Sequence, residues 1–270
     1  MRTIVFQSFR RENVPNWMAC CMDSVANWTR ARGYEYRFIG DELFDLLPKW
    51  FALSHSGRML PLTDLARLKA AKKYLEEGFT RAVWIDADVL IFDTANFSVE
   101  TEFGFAFCRE LWLEKRWGST IADNRINNCV SVYERDNSFL NFYIYAAEAL
   151  ARAKGRDLTD WDIGTNLLST LGRTLPLPLL GNVGMFSAQI VHSLAYEEHH
   201  MLAEYGAHLG ATLAAGNFCS SAIAKTGLLG ADPHALLERA VNVLIAAGGE
   251  TINRHVKPTV RFSASKSPNV

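Results

Sequence analysis

The chain has 270 residues, 49% of them hydrophobic, and a formal net charge of -1. That length can bury a full core and sits at the upper end of what one domain holds, while the near-zero charge excludes a global attraction to nucleic acid or to an anionic membrane surface. A charged substrate must therefore be met locally.

Ile4 to Phe9 reads as a first strand, and its apolar stretch after Met1-Arg2-Thr3 is too short to read as a signal peptide. From Trp17 to Arg32, Met18, Cys21, Met22, Val25 and Trp28 recur at helical spacing, and Gly33 ends the helix. Tyr34 to Ile39 alternates as a strand does, so the opening is a βαβ unit, which favours a parallel sheet. Leu60 to Phe79 is the clearest helix, with Thr63 and Asp64 suiting its start and Gly78 its end; it delivers the chain to the apolar run Ala82-Val83-Trp84-Ile85. Phe103 to Phe107 and Cys129 to Tyr133 read as strands, and the polar, Trp-bearing segment Leu111 to Asn127 between them reads as a long functional loop. Helices are expected from Ser138 to Lys154 and from Trp161 to Leu171, then a break at Pro176 and Pro178, then an Ala-rich helical remainder that includes Pro233 to Ala247. Residues 263–270 are Ser/Lys/Pro/Asn-rich and are expected to fray. Alternating strand and helix patterns give an α/β fold: a mixed, mainly parallel sheet flanked by helices, with a helical C-terminal part. Five cysteines without metal-ligand spacing read as reduced core residues, and no apolar run reaches membrane-spanning length, so the expected location is cytoplasmic, with only peripheral membrane contact open to it.

Asp86 and Asp88 close one apolar run and open the next, Val89-Leu90-Ile91-Phe92. In open α/β sheets ligands bind beyond the carboxyl ends of strands, and a buried charge there is easier to explain by function than by packing. Two hard oxygen ligands one residue apart suit Mg²⁺ or Mn²⁺, which commonly share their shell with substrate phosphates. Taken alone, D-x-D equally describes a turn whose aspartates cap the following backbone.

Three further segments supply context. Thr63-Asp64-Leu65-Ala66-Arg67 precedes the acidic pair, and Ile126-Asn127-Asn128-Cys129-Val130-Ser131-Val132 and Asp160-Trp161-Asp162-Ile163-Gly164-Thr165-Asn166 follow it. Together with Trp84-Ile85-Asp86-Ala87-Asp88-Val89-Leu90 they resemble the motifs of the GT-A, Rossmann-like glycosyltransferases, within them the retaining group of glycogenin-like enzymes, mannosyltransferases and glucosylating toxins. The resemblance implies one catalytic domain over residues 1–262, with a nucleotide-sugar half to about residue 110 and an acceptor half after it. It implies nucleotide contacts from Asp64 and Arg67, a direct metal bond from Asp88, and ribose and metal-shell contacts from Asp86. Asn128 would line the sugar pocket, and Asp162 and Asp160 would lie near the anomeric carbon. Phe6, Gln7 and Ser8 occupy the place where base and ribose dock in that family. For the last metal ligand, Arg254-His255-Val256-Lys257-Pro258 is similar to the glycogenin-like ending, which would give His255 to the metal and Lys257 to the diphosphate. Asn217 and Ser220, similar to the toxin-like ending, are the rival pair.

The implied activity is metal-dependent transfer of a hexose, with retention, from a nucleotide-diphosphate sugar to the hydroxyl of a glycan, lipid-linked or protein acceptor. UDP-hexose is the favoured donor and GDP-mannose the second choice. The alternatives are a sugar-nucleotide or glycan-binding protein without turnover and, ranked lower, an aspartate-dependent phosphatase. Glu197-Glu198-His199-His200 lacks an i, i+4 histidine pair and reads as a solvated helix face.

Overall fold

The computed structural model describes residues 1–223 and 232–257. The tail expected to fray, 263–270, lies outside the described residues. A six-stranded mixed sheet forms the centre, built from β1 (Thr3–Ser8), β2 (Glu35–Ile39), β3 (Arg81–Ile85), β5 (Phe105–Arg116), β6 (Ser119–Glu134) and β7 (Leu179–Leu180) in the order β2-β1-β3-β6-β5-β7. The pairings β1 with β2, β1 with β3 and β5 with β7 are parallel, and β6 runs antiparallel to both its neighbours. Helices flank it, so the α/β class and mainly parallel sheet expected from sequence are present.

Strand alternation decides what covers each face. Ile4, Phe6, Ala82, Trp84 and Tyr133 pack against α3 (Met59–Glu76) and α4 (Phe139–Lys154) through Leu65, Leu68, Ala71, Tyr143 and Ala147. Val5, Val83, Ile85, Val130 and Val132 point the other way, onto Val25 and Trp28 of α1 (Asn16–Ala31). Beneath that second face lies a small sheet of order β4-β9-β8, made by β4 (Val89–Ile91), β8 (Val183–Met185) and β9 (Ala215–Asn217). Asp86-Ala87-Asp88 is thus the link between two sheets, leaving β3 in one and entering β4 in the other. After β8 the chain is largely helical: α6 (Ala188–Tyr196), α7 (His199–Leu209), α8 (Ser220–Ile223), α9 (Pro233–Ala247) and α10 (Glu250–Asn253). Ile190, Leu194, Leu202, Leu237 and Val241 from these helices pack with Trp17 of α1 and with Leu111 and Leu113 on the back of β5. Among the described residues no helix is long and apolar enough to cross a membrane.

Leu111 to Asn127 is not a loop. β5 and β6 form one long hairpin, paired from Cys108 with Asn127 to Arg116 with Ser119. β3 pairs β6 only from Val130 to Glu134, so the outer arms of the hairpin run past the end of β3 and stand beside the acidic pair. The arms were hard to recognise because one of their faces is polar: Leu111 and Leu113 are buried, whereas Trp112, Glu114 and Arg116 alternate with them toward a cavity.

The two-residue turn, Trp117-Gly118, has φ of 49° and 80°, the double left-handed conformation that tight hairpins favour and that Asn-Gly suits best. Trp117 is 98% exposed, so it buries nothing to offset the strain of a bulky residue with positive φ. Trp117→Asn is expected to raise the unfolding free energy by about 1 kcal/mol. Urea denaturation of the two proteins measures it, and a loss of stability would contradict this account of the turn.

Candidate active site

The link after β3 is anchored on both sides. The Asp86 amide donates to Cys129 O at 2.7 Å, Val89 N to Asp86 O at 3.1 Å, and Phe218 N to Asp88 O at 3.0 Å. These bonds leave both carboxylates facing a cavity of about 290 Å³. Asp64, Arg67, Asp86, Asp88, Asn128 and Asp160, all expected from sequence, line it together, as does Asn217.

Arg67 is the hub. Its guanidinium, 6% exposed, donates to Asp64 on the preceding turn, to Asp86 Oδ1 at 2.9 Å and to Asn128 O at 3.2 Å. It lies 5.4 Å over the Trp84 ring, whose Nε1 donates to Asp86 Oδ1 at 2.5 Å. The i, i+3 spacing puts Asp64 and Arg67 on one helix face. Asp64 is not a helix-start residue, however: α3 begins at Met59, with Pro61 tolerated in its first turn. Asn128 Nδ2 donates to Asp64 Oδ1 at 3.1 Å and to Tyr143 OH at 3.4 Å. Gly164 admits the Asp64 carboxylate, because a Cβ there would meet Oδ2 at 2.7 Å. Burial pushes the Asp86 carboxyl up to about 6; Arg67 opposes the rise and Asp88 adds to it.

Asp88 is held from the other side. Register pairs Val89 with Asn217 across β4 and β9, which brings the next turn back over the acidic link. Ser220 donates to Asp88 Oδ2 through its backbone N at 2.9 Å and its Oγ at 2.7 Å, and Asn217 Nδ2 approaches Asp86 Oδ2 at 3.5 Å. Of the two rival late endings, Asn217 and Ser220 are therefore the residues at the pair. His255 does not join it. Its backbone and Cβ lie against Gly206 of α7 and its ring is 6.5 Å from the His199 ring, with Nε2 buried and unpartnered among the described residues. Lys257 is exposed and does not line the cavity.

Three more expectations need correction. Phe6 is fully buried between Tyr74 and Trp84, so it cannot stack on a base. Gln7 is fully buried with both ends taken, accepting from Tyr36 OH at 2.9 Å and donating to Asp86 O at 3.1 Å; it braces the acidic link from behind. Ser8, at the end of β1, donates weakly to Gly40 O at 3.4 Å and does not line the cavity.

Asp162 is also turned away. It starts a kinked helical turn, Asp162–Asn166, that leads into α5 (Leu167–Gly172). Its oxygens accept from Thr159 N at 2.6 Å, Lys154 Nζ at 2.9 Å and Asn166 Nδ2 at 3.2 Å. Asp160, two residues earlier, faces the cavity and pairs with Arg58 at 3.1 Å. Asp162 thus braces the segment from Lys154 to Asn166 through three bonds and does not line the cavity.

Burial alone would raise the Asp162 pKa, but Lys154, Thr159 and Asn166 hold it down to about 2. A depressed folded-state pKa contributes stability above the unfolded value of about 4 and loses it as pH falls through about 2. Lys154 is 40% exposed, which screens its share, so Asp162→Asn is expected to cost about 1–2 kcal/mol near neutral pH and to flatten the stability curve between pH 4 and 2. Urea midpoints across that range test it; an unchanged acid limb would refute this bracing role.

Sequence reasoning missed Glu110. This side chain is 7% exposed, lines the cavity, and accepts from Asn127 Nδ2 at 2.6 Å. Burial raises its pKa, against the pull of Asn127 and Arg125. Trp112, Glu114 and Arg116 follow it on the same face of β5, and Arg125 and Asn127 on β6. The signal was their period of two, hidden inside what read as a loop. Among the described residues, six carboxylates (Asp64, Asp86, Asp88, Glu110, Glu114, Asp160) and three guanidinium groups (Arg67, Arg116, Arg125) line the cavity.

Neither a family model nor a curated protein sequence matches the chain. Among solved structures it is similar to a glycosyltransferase involved in the glycosylation of the major capsid of PBCV-1, at 13% identity over 90% of this chain and 98% of that one, with a TM-score of 0.47. It is also similar to mouse xyloside xylosyltransferase 1 (11% identity, 81% and 98% covered, TM-score 0.45) and to the glycosyltransferase GlyE of Streptococcus pneumoniae TIGR4 (12% identity, 97% and 65% covered, TM-score 0.43). At these identities and scores the likeness carries no residue role, substrate or stereochemistry over to this chain.

Proposed function

We propose that this chain transfers a hexose from a nucleotide-diphosphate sugar, UDP-linked by preference, to an acceptor hydroxyl, with a divalent cation at Asp88 and Asp86. The observation that carries this reading is convergence. Asp64, Arg67, Asp86, Asp88 and Asn128, spread over three motif segments, meet around one acid-rich cavity at the end of β3. Residues 1–110 would hold mainly the donor, and residues 111–262 the acceptor.

The donor set fits a hard cation. Among the described residues, six carboxylates line the cavity against three guanidinium groups there and Arg58 beside Asp160, and Asp88 Oδ1 accepts from no described residue. Among the described residues no group of three or more His, Cys, Asp or Glu is arranged to hold a metal alone. A pair of carboxylates, Asp86 and Asp88, facing the cavity suits Mg²⁺ or Mn²⁺, which retain water and take substrate phosphates as ligands. When bound, the cation supplies charge neutralisation for the departing diphosphate. The protein's own residues do the rest: Arg67 and Trp84 fix one oxygen of Asp86, Ser220 fixes one of Asp88, and Glu110 and Asp160 offer acceptors to sugar hydroxyls. Retention follows from the motif resemblance.

A thermal-shift panel of UDP-, GDP- and CMP-sugars with and without Mn²⁺ tests the reading. Stabilisation by one donor that requires the metal is expected, and transfer or hydrolysis of that labelled donor separates an enzyme from a binding protein. Indifference to every donor would sink the proposal.

A further inference from the structure

Beside the cavity lies a larger groove of about 790 Å³, and its charge is of the opposite sign. Arg109, Arg125 and Arg173 line it against a single acid, Asp123. The three arginines come from three elements: β5, β6 and the end of α5. Arg109 is splayed by neutral acceptors, with Nε and Nη2 on Asn124 Oδ1 at 3.0 and 2.6 Å and Nη1 on Leu209 O at 2.8 Å. Arg125 takes the one acid, donating from Nε to Asp123 at 2.8 Å. Arg173 forms no ion pair with any described residue. Helix C-termini favour two of the three, since Arg173 follows the last turn of α5 and Arg109 meets Leu209 O at the end of α7; that places each arginine but leaves three guanidinium groups around the groove against one acid.

The groove and the cavity are neighbours. Arg125 lines both, and the segment that brings Trp161 and Thr165 to the cavity brings Asn166 and Ser169 to the groove. A molecule lying across Arg125 therefore meets an acidic end and a basic end. Guanidinium forks match carboxylate and phosphate oxygens, and an acid-rich cavity repels the same groups. We propose that the groove holds an anionic group of the acceptor, a carboxylate or a phosphate, and so orients its neutral hydroxyl into the cavity. This rests on the glycosyl-transfer reading and specifies the acceptor class for it.

The test uses the full chain labelled with ¹⁵N-arginine, without donor or metal, at constant ionic strength. Glucuronate, glycerol 3-phosphate and glucose are titrated while the arginine Nε–Hε resonances are followed, with Arg109→Lys and Arg173→Lys assigning two of them. Saturable shifts of the Arg109 and Arg173 signals with an anion and none with glucose are expected, and Arg173→Gln or Arg109→Gln should weaken binding about tenfold, with thermal melts showing that the variants are folded. Response to glucuronate alone identifies a uronic acid, response to glycerol phosphate alone a phosphate-bearing acceptor, and both support an anionic acceptor. No saturable shift with either anion, equal shifts with glucose, or binding unchanged in both folded Gln variants overturns the proposal while leaving the donor reading intact. Anion binding together with a donor panel that fails throughout overturns the assignment to an acceptor.

Discussion

Arg67→Met is expected to lower the unfolding free energy by about 3–5 kcal/mol, the cost of breaking a buried ion pair from one side. Met fills much of the volume of the arginine stem, so the loss is electrostatic rather than a cavity effect. With the guanidinium gone, Asp64, 5% exposed, keeps only Asn128 as a side-chain donor among the described residues, and Asp86 keeps Trp84 and a distant Asn217. Asp86 already sits high because of burial, and its main countervailing charge is Arg67. Arg67→Lys should recover only part of the loss, because one ammonium cannot reach Asp64, Asp86 and Asn128 O in the geometry of a planar fork. Asp64→Asn in the Arg67→Met background should restore about 1–2 kcal/mol by removing one stranded charge. Urea denaturation of the four proteins gives the series. If Arg67→Met unfolds within 1 kcal/mol of the parent, the guanidinium is not the hub of this site.

The same cluster shows what a single sequence can and cannot convey. Helices α1, α3, α4 and α9 were legible because apolar residues recur at helical spacing, and β1, β2 and β3 because short apolar or alternating runs end at turn residues. Asp64, Arg67, Asp86 and Asp88 were legible because their chemistry depends on local spacing: i, i+3 on a helix and i, i+2 past a strand end. The small sheet was not, since β4, β8 and β9 have three residues each and β4 meets its partner more than a hundred residues later. That closure also brings Asn217 and Ser220, and not His255, beside the acidic pair, which no local pattern could have shown. The β5–β6 hairpin escaped for a different reason: a strand face that lines a polar cavity loses the apolar alternation by which strands are recognised, and Glu110 was hidden with it. Asp162 failed through direction. Two carboxylates at a helix entrance look alike in sequence, yet Asp160 faces the cavity while Asp162 folds back onto Thr159 and Lys154.

Asp88→Asn should have the largest functional effect and one of the smallest structural ones. Asp88 meets the protein through one oxygen, which accepts from Ser220 N and Oγ, and an asparagine carbonyl can accept the same two bonds. Unlike Asp64 and Asp86, it has no cation partner among the described residues, so neutralising it strands no buried charge. Removing a negative charge beside Asp86 relieves repulsion as well. Stability without ligand is therefore expected to stay within about 1 kcal/mol of the parent. On the proposed reading transfer is another matter: losing an anionic ligand would weaken the cation where negative charge builds up on the departing diphosphate, and a fall in kcat/KM of about a thousandfold or more, or about 4 kcal/mol, is the scale of such a loss. The metal-dependent thermal shift should vanish in parallel. Ser220→Ala separates ligation from positioning, because it keeps the charge and the backbone donor while freeing the carboxylate to rotate. It should raise the Mn²⁺ concentration needed for half-maximal stabilisation by about tenfold, with kcat largely kept at saturating metal. Full activity in Asp88→Asn at ordinary Mn²⁺ would remove the cation from Asp88, and the donor reading would then rest on Arg67 and its two carboxylates alone.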